Sequence, residues 1–208
     1  MKNNCIEISS NDLKKSLPDV AYNSAEDSFF VFWAATPGEE SQTADNFISG
    51  QKISSSGEAL GDPVEVVKTE NILLLPRVLY NPNKNQYLVT YCMAEDYFNL
   101  RGVILDGDGK AVREHFKVTD APANQFHYTM AFNSKHNQFI ITYNNNRNGA
   151  SDDFGVILYD TGAVVNNEYI ICNAVRHKVN TGVSNNPKDD TYLINREDFR
   201  AHGDSLDG

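Results

Sequence analysis

Cysteine is scarce in this chain: Cys5, Cys92 and Cys172 make an odd number with no Cys-x-x-Cys spacing. A disulfide framework or a thiolate zinc site is therefore not expected, and the three thiols read as buried or partly buried side chains. Long apolar runs are missing as well. The longest aliphatic stretch is Ile72-Leu73-Leu74-Leu75, far short of the roughly 20 residues that cross a bilayer as a helix. The first ten residues hold no apolar core of a secretory signal, so a soluble chain without signal or transmembrane segment is expected. Positive charge is also in deficit: 18 Lys and Arg face 28 Asp and Glu, a net charge of -10. Nucleic-acid phosphates call for the opposite balance, as does an anionic membrane surface, and neither partner is expected.

Catalytic and metal signatures are equally thin. His115, His127, His136, His177 and His202 form no pair at helical i, i+4 spacing, and no Gly-x-Ser-x-Gly nucleophile motif occurs. No catalytic residue, metal or cofactor is expected. Amphipathic helical patterning is absent throughout. What the chain does have is period-two alternation of aromatic and β-branched residues, bounded by Gly, Asn, Asp and Pro, which means strands. With 208 residues, 40% of them hydrophobic, it can bury a sizeable core unaided.

The strands repeat. Asn23, Asn81, Asn133 and Asn186 are each followed six residues later by an aromatic: Phe29, Tyr87, Phe139 and Tyr192. Ten residues after the Asn come Trp33, Tyr91 and Tyr143, with Arg196 in the fourth copy. The Asn-to-Asn periods are 58, 52 and 53 residues. A second landmark is a glycine pair seven residues apart: Gly50 and Gly57, Gly102 and Gly109, Gly155 and Gly162. The repeated Asn reads as the start of the turn between a unit's first two strands, where Asn tolerates the left-handed region and caps backbone amides. Trp33, Tyr91 and Tyr143 read as packing between units. Asp106-Gly107-Asp108-Gly109, which could open a calcium loop, has counterparts that share only turn character, and it is assigned as a tight turn.

Four antiparallel strands in about 50 residues is the size of a propeller blade. Val66 and Val118 lie 15 residues before Asn81 and Asn133, and the same count before Asn23 reaches Ile8. The expected fold is all-β: a four-bladed β-propeller, four antiparallel strands per blade, with an N-terminal strand over 5–9 completing the last blade. The single domain 1–208 then divides into blades at 18–67, 76–118, 128–172, and 181–208 plus 5–9.

With its Val-Ala-Tyr-Asn strand, Tyr-Leu-Val-Thr-Tyr strand and Gly-x-x-Ile/Leu strands, the chain resembles bacterial β-propeller-like repeats over residues 5–208. The resemblance is architectural and implies no activity. The Trp-Asp dipeptide of WD40 blades, the double glycine of kelch, the sialidase Ser-x-Asp-x-Gly box and the haemopexin signature are all absent.

Function on such a scaffold sits where the framework repeats and the residues do not. Four positions before each Asn the residues are Asp19, Arg77, Thr129 and Gly182. The loops between second and third strands also vary, from Thr36 to Asn46 and from Met93 to Asn99, and again around Arg147. Asp19, Arg77, Glu95, Asp96, Tyr97, Phe98 and Arg147 are thus the candidate ligand contacts. The pattern favours a binding module for a carbohydrate or protein partner. A glycan-processing enzyme with carboxylates at the channel mouth and a purely structural unit are the alternatives.

Overall fold

A computed structural model describes residues 6–9, 12–38, 44–147, 152–165, 168–172 and 178–198. Among them every regular element is a strand, and every pairing is antiparallel between sequence neighbours. The first sheet comprises β1 (Lys14–Asn23), β2 (Ser28–Thr36), β3 (Asn46–Ser54) and β4 (Val64–Thr69), in that spatial order. The second repeats it with β5 (Leu73–Asn81), β6 (Gln86–Ala94), β7 (Phe98–Asp106) and β8 (Ala111–Lys117). The third consists of β9 (Gln125–Asn133), β10 (Gln138–Asn145), β11 (Asp152–Tyr159) and β12 (Tyr169–Cys172). The fourth pairs β13 (Lys178–Asn186) with β14 (Thr191–Asp198). Its further strands were expected over 201–208, outside the described residues, and over 5–9. Cys5 also lies outside them, and residues 6–9 belong to no strand.

The repeated Asn does cap the first turn of each sheet. Asn23 Oδ1 accepts from the amide of Ala25 at 2.9 Å, Asn81 Oδ1 from Asn83 at 2.9 Å, Asn133 Oδ1 from Lys135 at 3.0 Å, and Asn186 Oδ1 from Lys188 at 3.1 Å. The left-handed residue, however, lies four positions further on. Asp27, Asn85, Asn137 and Asp190 have φ of 48°, 50°, 55° and 63°. The Asn itself closes its strand, so it keeps an extended backbone. It is the last residue of the turn that must reverse the chain, and Asn and Asp tolerate that region best after Gly. The Asp106–Gly109 segment is likewise a turn: Asp106 Oδ1 accepts from the amides of Asp108 and Lys110, and Gly109 sits at φ 84°.

Strand alternation assigns each side chain to one of two faces. Phe30, Phe32 and Ile48 of the first sheet pack on Tyr87, Val89 and Tyr91 of the second. The opposite face of the second sheet, with Leu88, Cys92 and Ile104, packs on Phe139, Ile141 and Tyr143 of the third. The middle sheet is therefore buried on both sides, which is why β6 reads as a nearly unbroken apolar run. Burial pushes the Cys92 thiol up to about 12, consistent with an inert core thiol.

The seams between sheets are also polar, and they repeat. Asn23 Nδ2 donates to Asn85 Oδ1 at 2.8 Å, Asn81 Nδ2 to Asn137 Oδ1 at 3.1 Å, and Asn133 Nδ2 to Asp190 Oδ1 at 2.6 Å. These three turn Asn residues thus grip the left-handed turn residue of the next sheet.

The N-terminal segment packs on the first sheet at positions that recur on the next two. Ile6, Val64 and Phe116 each lie 17 residues before a turn Asn. A Cβ added at Gly57 would strike Ile6, one at Gly109 would meet Val64 as well as Phe30, and one at Gly162 would strike Phe116. Two residues on, Ile8 packs against Trp33 and Phe47, as Val66 and Val118 pack in the two inter-sheet cores. Ile6 and Ile8 therefore occupy on the first sheet the places that fourth-strand residues occupy on the next two.

Candidate functional site

The first strand of each sheet carries an irregularity just before its variable position. Register shifts fall between Ser16 and Asp19, between Leu74 and Arg77, and between Asn180 and Gly182; the β9–β10 pairing shifts where Phe126 and Thr129 face Asn144 and Thr142. Within three of these shifts Leu17, Leu75 and His127 lie at φ 53°, 52° and 50°. A side chain in the left-handed region costs about 1–2 kcal/mol per residue, so the surroundings must hold it there. For Leu75 the holder is Tyr128 of the neighbouring sheet. Its buried hydroxyl sits between the carbonyls of Leu75 and Thr90, 3.0 Å from the latter. Burial raises that hydroxyl well above its usual value, so it remains a donor across the working pH range.

Such bulges re-aim the residues that follow them. Here they bring Asp19, Arg77, His127, Tyr128, Thr129 and Met130, from three different sheets, around one cavity of about 470 Å³. Asp19 Oδ2 accepts from the Val78 amide at 2.9 Å, and its other oxygen stands 4.0 Å from an Arg77 guanidinium nitrogen. The Arg77 side chain is 47% exposed and that of Asp19 27%. Asp19 is thereby oriented by backbone, and the exposed Arg77 side chain lines the cavity beside it. The sequence placed Asp19, Arg77 and Thr129 at equivalent positions, and the structure brings them together. It adds His127, whose two-residue offset from Thr129 corresponds to Leu17 and Leu75 in the other units; that offset was the available signal. Gly182, the fourth equivalent, does not line this cavity.

The loop candidates divide differently. Glu95, Asp96 and Tyr97 line a second cavity of about 630 Å³ with Asn99, Lys117 and Asp120. Glu95 is engaged by Arg101, a fully buried guanidinium that also donates to the Thr119 carbonyl at 2.9 Å. Sequence reasoning missed Arg101, because its counterparts Ser49 and Phe154 give no periodic cue. Lys117 holds the Asp120 carboxyl below its usual range. Asp96 and the exposed Tyr97 remain available at the rim. Phe98 instead packs its ring 5.0 Å from Phe126 and joins the core between the second and third sheets. Arg147 joins neither cavity: it pairs with Glu168 and lies 3.9 Å over the Phe154 ring.

No family model and no curated protein matches this chain. Among solved structures, an α-L-arabinofuranosidase from Lactobacillus brevis superposes with a TM-score of 0.53 at 10% identity, over 91% of this chain and 67% of that one. At that identity the likeness concerns the fold, a β-rich architecture of repeated antiparallel sheets.

Proposed function

We propose that this chain is a non-enzymatic carbohydrate-binding module whose four sheets are the blades of one ring, with the ligand held where the first strands converge. The observation that carries this reading is the cavity bounded by Asp19, Arg77, His127 and Thr129. Its volume falls within the range of roughly 300–1,000 Å³ common for small-molecule sites. Its lining offers a fixed carboxylate acceptor, a guanidinium donor, an imidazole and a hydroxyl, the complement of a polyhydroxylated ligand. The core residues around it recur from sheet to sheet while these do not, which is how a site is grafted on a repeated scaffold. The fold likeness to a glycosidase is compatible with a role at carbohydrates.

Binding is favoured over hydrolysis by the acid count. Glycoside cleavage uses two carboxyl groups about 5 to 9.5 Å apart, and among the described residues lining the cavity only Asp19 carries one. Asp19 is also committed to the Val78 amide. A second reading places the sugar in the loop cavity, where exposed Tyr97 stands near Asp96 and Asn99 and could stack on a pyranose face.

A glycan array compared across the wild type, Asp19→Ala/Arg77→Ala and Tyr97→Ala separates the two. Loss of a glycan signal in the double variant alone supports the channel site, and loss in Tyr97→Ala alone moves the site to the loops. A wild type that binds no glycan defeats both.

A further inference from the structure

The three seams follow one rule, and the chain contains a fourth set of residues that obeys it. The residue seven positions after each turn Asn faces the following sheet, and the residue six positions after faces the preceding one. Phe30 meets Tyr87 with ring centroids 5.3 Å apart, and Leu88 shares a core with Phe139. Tyr192 faces back toward the third sheet, where its hydroxyl lies 2.7 Å from Asn133 Nδ2. Two members of this series are left: Leu193, which faces forward from the fourth sheet, and Phe29, which faces backward from the first. They are 74% and 37% exposed, whereas Phe30, Tyr87, Leu88, Phe139 and Ile140 are buried. Val20 and Tyr22, on the same side of the first sheet as Phe29, are exposed too.

The polar half of the rule leaves a matching remainder. Asn23, Asn81 and Asn133 each donate across a seam, and the acceptors are Asn85, Asn137 and Asp190. Asn186 is the remaining donor position, and Asp27 the remaining left-handed acceptor. Asn186 with Asp27 would reproduce the chemistry of Asn133 with Asp190, an amide donating to a carboxylate. The outer part of the same face of the first sheet is already covered by the chain itself, through Ile6 at Gly57 and Ile8 on Trp33.

We infer that the backward face of the first sheet is an interaction surface for the chain's own fourth sheet, joined by Leu193 on Phe29 and by Asn186 donating to Asp27. This rests on reading the four sheets as one ring and names the contacts that close it. Among the described residues β1 and β13 share no extended packing.

Two measurements test it. In a chain carrying Cys5→Ser and Cys172→Ser, the pair Phe29→Cys/Leu193→Cys is treated with a bis-maleimide spanning about 10 Å, the face-to-face distance of packed sheets. The expected product is a monomer bridged within one chain, identified by mass. Bridging only between chains, or none, overturns the intramolecular seam and with it the single-chain ring. Separately, Asn186→Ala is expected to lower the melting temperature as much as Asn81→Ala does. If the bridge forms within the chain but Asn186→Ala is silent, the ring stands and the Asn186–Asp27 contact is refuted.

Discussion

Two buried tyrosines of the same core predict opposite responses to losing one oxygen atom. Tyr128 places its hydroxyl between the carbonyls of Leu75 and Thr90, and takes a bond from Thr90 Oγ1 at 3.2 Å. Tyr143 is fully buried, and its hydroxyl has no hydrogen-bond partner among the described residues. Tyr128→Phe therefore strands buried acceptors, which costs about 2 kcal/mol within the usual span of 1–3. For a chain of this length each kcal/mol moves the midpoint by about 2–4 °C, so the expected drop is about 4–8 °C. Tyr143→Phe removes an unsatisfied group and is expected to leave the midpoint unchanged or raise it by about 1–3 °C. Differential scanning calorimetry of both variants decides the point. Equal losses, or a larger loss for Tyr143→Phe, would refute the assignment of Tyr128 as the clamp on the strained Leu75 segment.

Three further outcomes are expected. Gly109→Ala forces a side chain into the left-handed region, where its Cβ would lie 2.7 Å from the buried Phe30 ring. Gly61, at φ 73°, has nothing within 4 Å. Urea melts should show a cost of about 1 kcal/mol for Gly61→Ala and about 3 kcal/mol for Gly109→Ala, the excess being overpacking. Deleting residues 1–10 uncovers Trp33, the chain's one tryptophan, which is 5% exposed with Ile8 against it; its emission should shift to the red with a lower midpoint. An unshifted spectrum means the segment is not seated there. Hydrogen bonds from Lys52 and Asn85 hold the Glu26 carboxyl below its usual range, so its folded form binds protons less readily than its unfolded form. Its stabilising effect is complete above the unfolded value of about 4.3 and fades as pH falls through the lower folded value. The midpoint difference between wild type and Glu26→Gln should shrink from pH 6 to pH 3, and a constant difference would contradict that pairing.

The repeat made most of the architecture legible before any coordinates. An Asn that caps a turn and an aromatic that fills a seam are fixed by backbone geometry, so they recur at fixed spacing and can be counted. The same count assigned residues 5–9 to the fourth unit as a strand; Ile6 and Ile8 pack on the first sheet at Gly57 and Trp33 without forming one. The left-handed turn residue escaped because Asp27, Asn85, Asn137 and Asp190 lack the glycine that usually marks it. The bulges escaped for the same reason, since nothing about Leu17 or Leu75 announces a positive φ. Asp19 and Arg77 were visible as variable residues in a constant frame, but their partners were not. Arg101 capturing Glu95 and Glu168 capturing Arg147 join residues whose spacing carries no periodicity. Those captures turn apparent binding loops into partly structural ones.

The most direct test of the account is the affinity of an array-identified glycan, measured by titration calorimetry for wild type, Arg77→Gln and Tyr97→Ala. Hydrogen bonds to a charged group contribute about 1.5–3 kcal/mol, so Arg77→Gln should weaken binding about 10- to 100-fold while Tyr97→Ala leaves it within about twofold. Unchanged affinity in Arg77→Gln, whatever Tyr97→Ala does, would contradict the cavity between Asp19, Arg77 and Thr129 as the binding site.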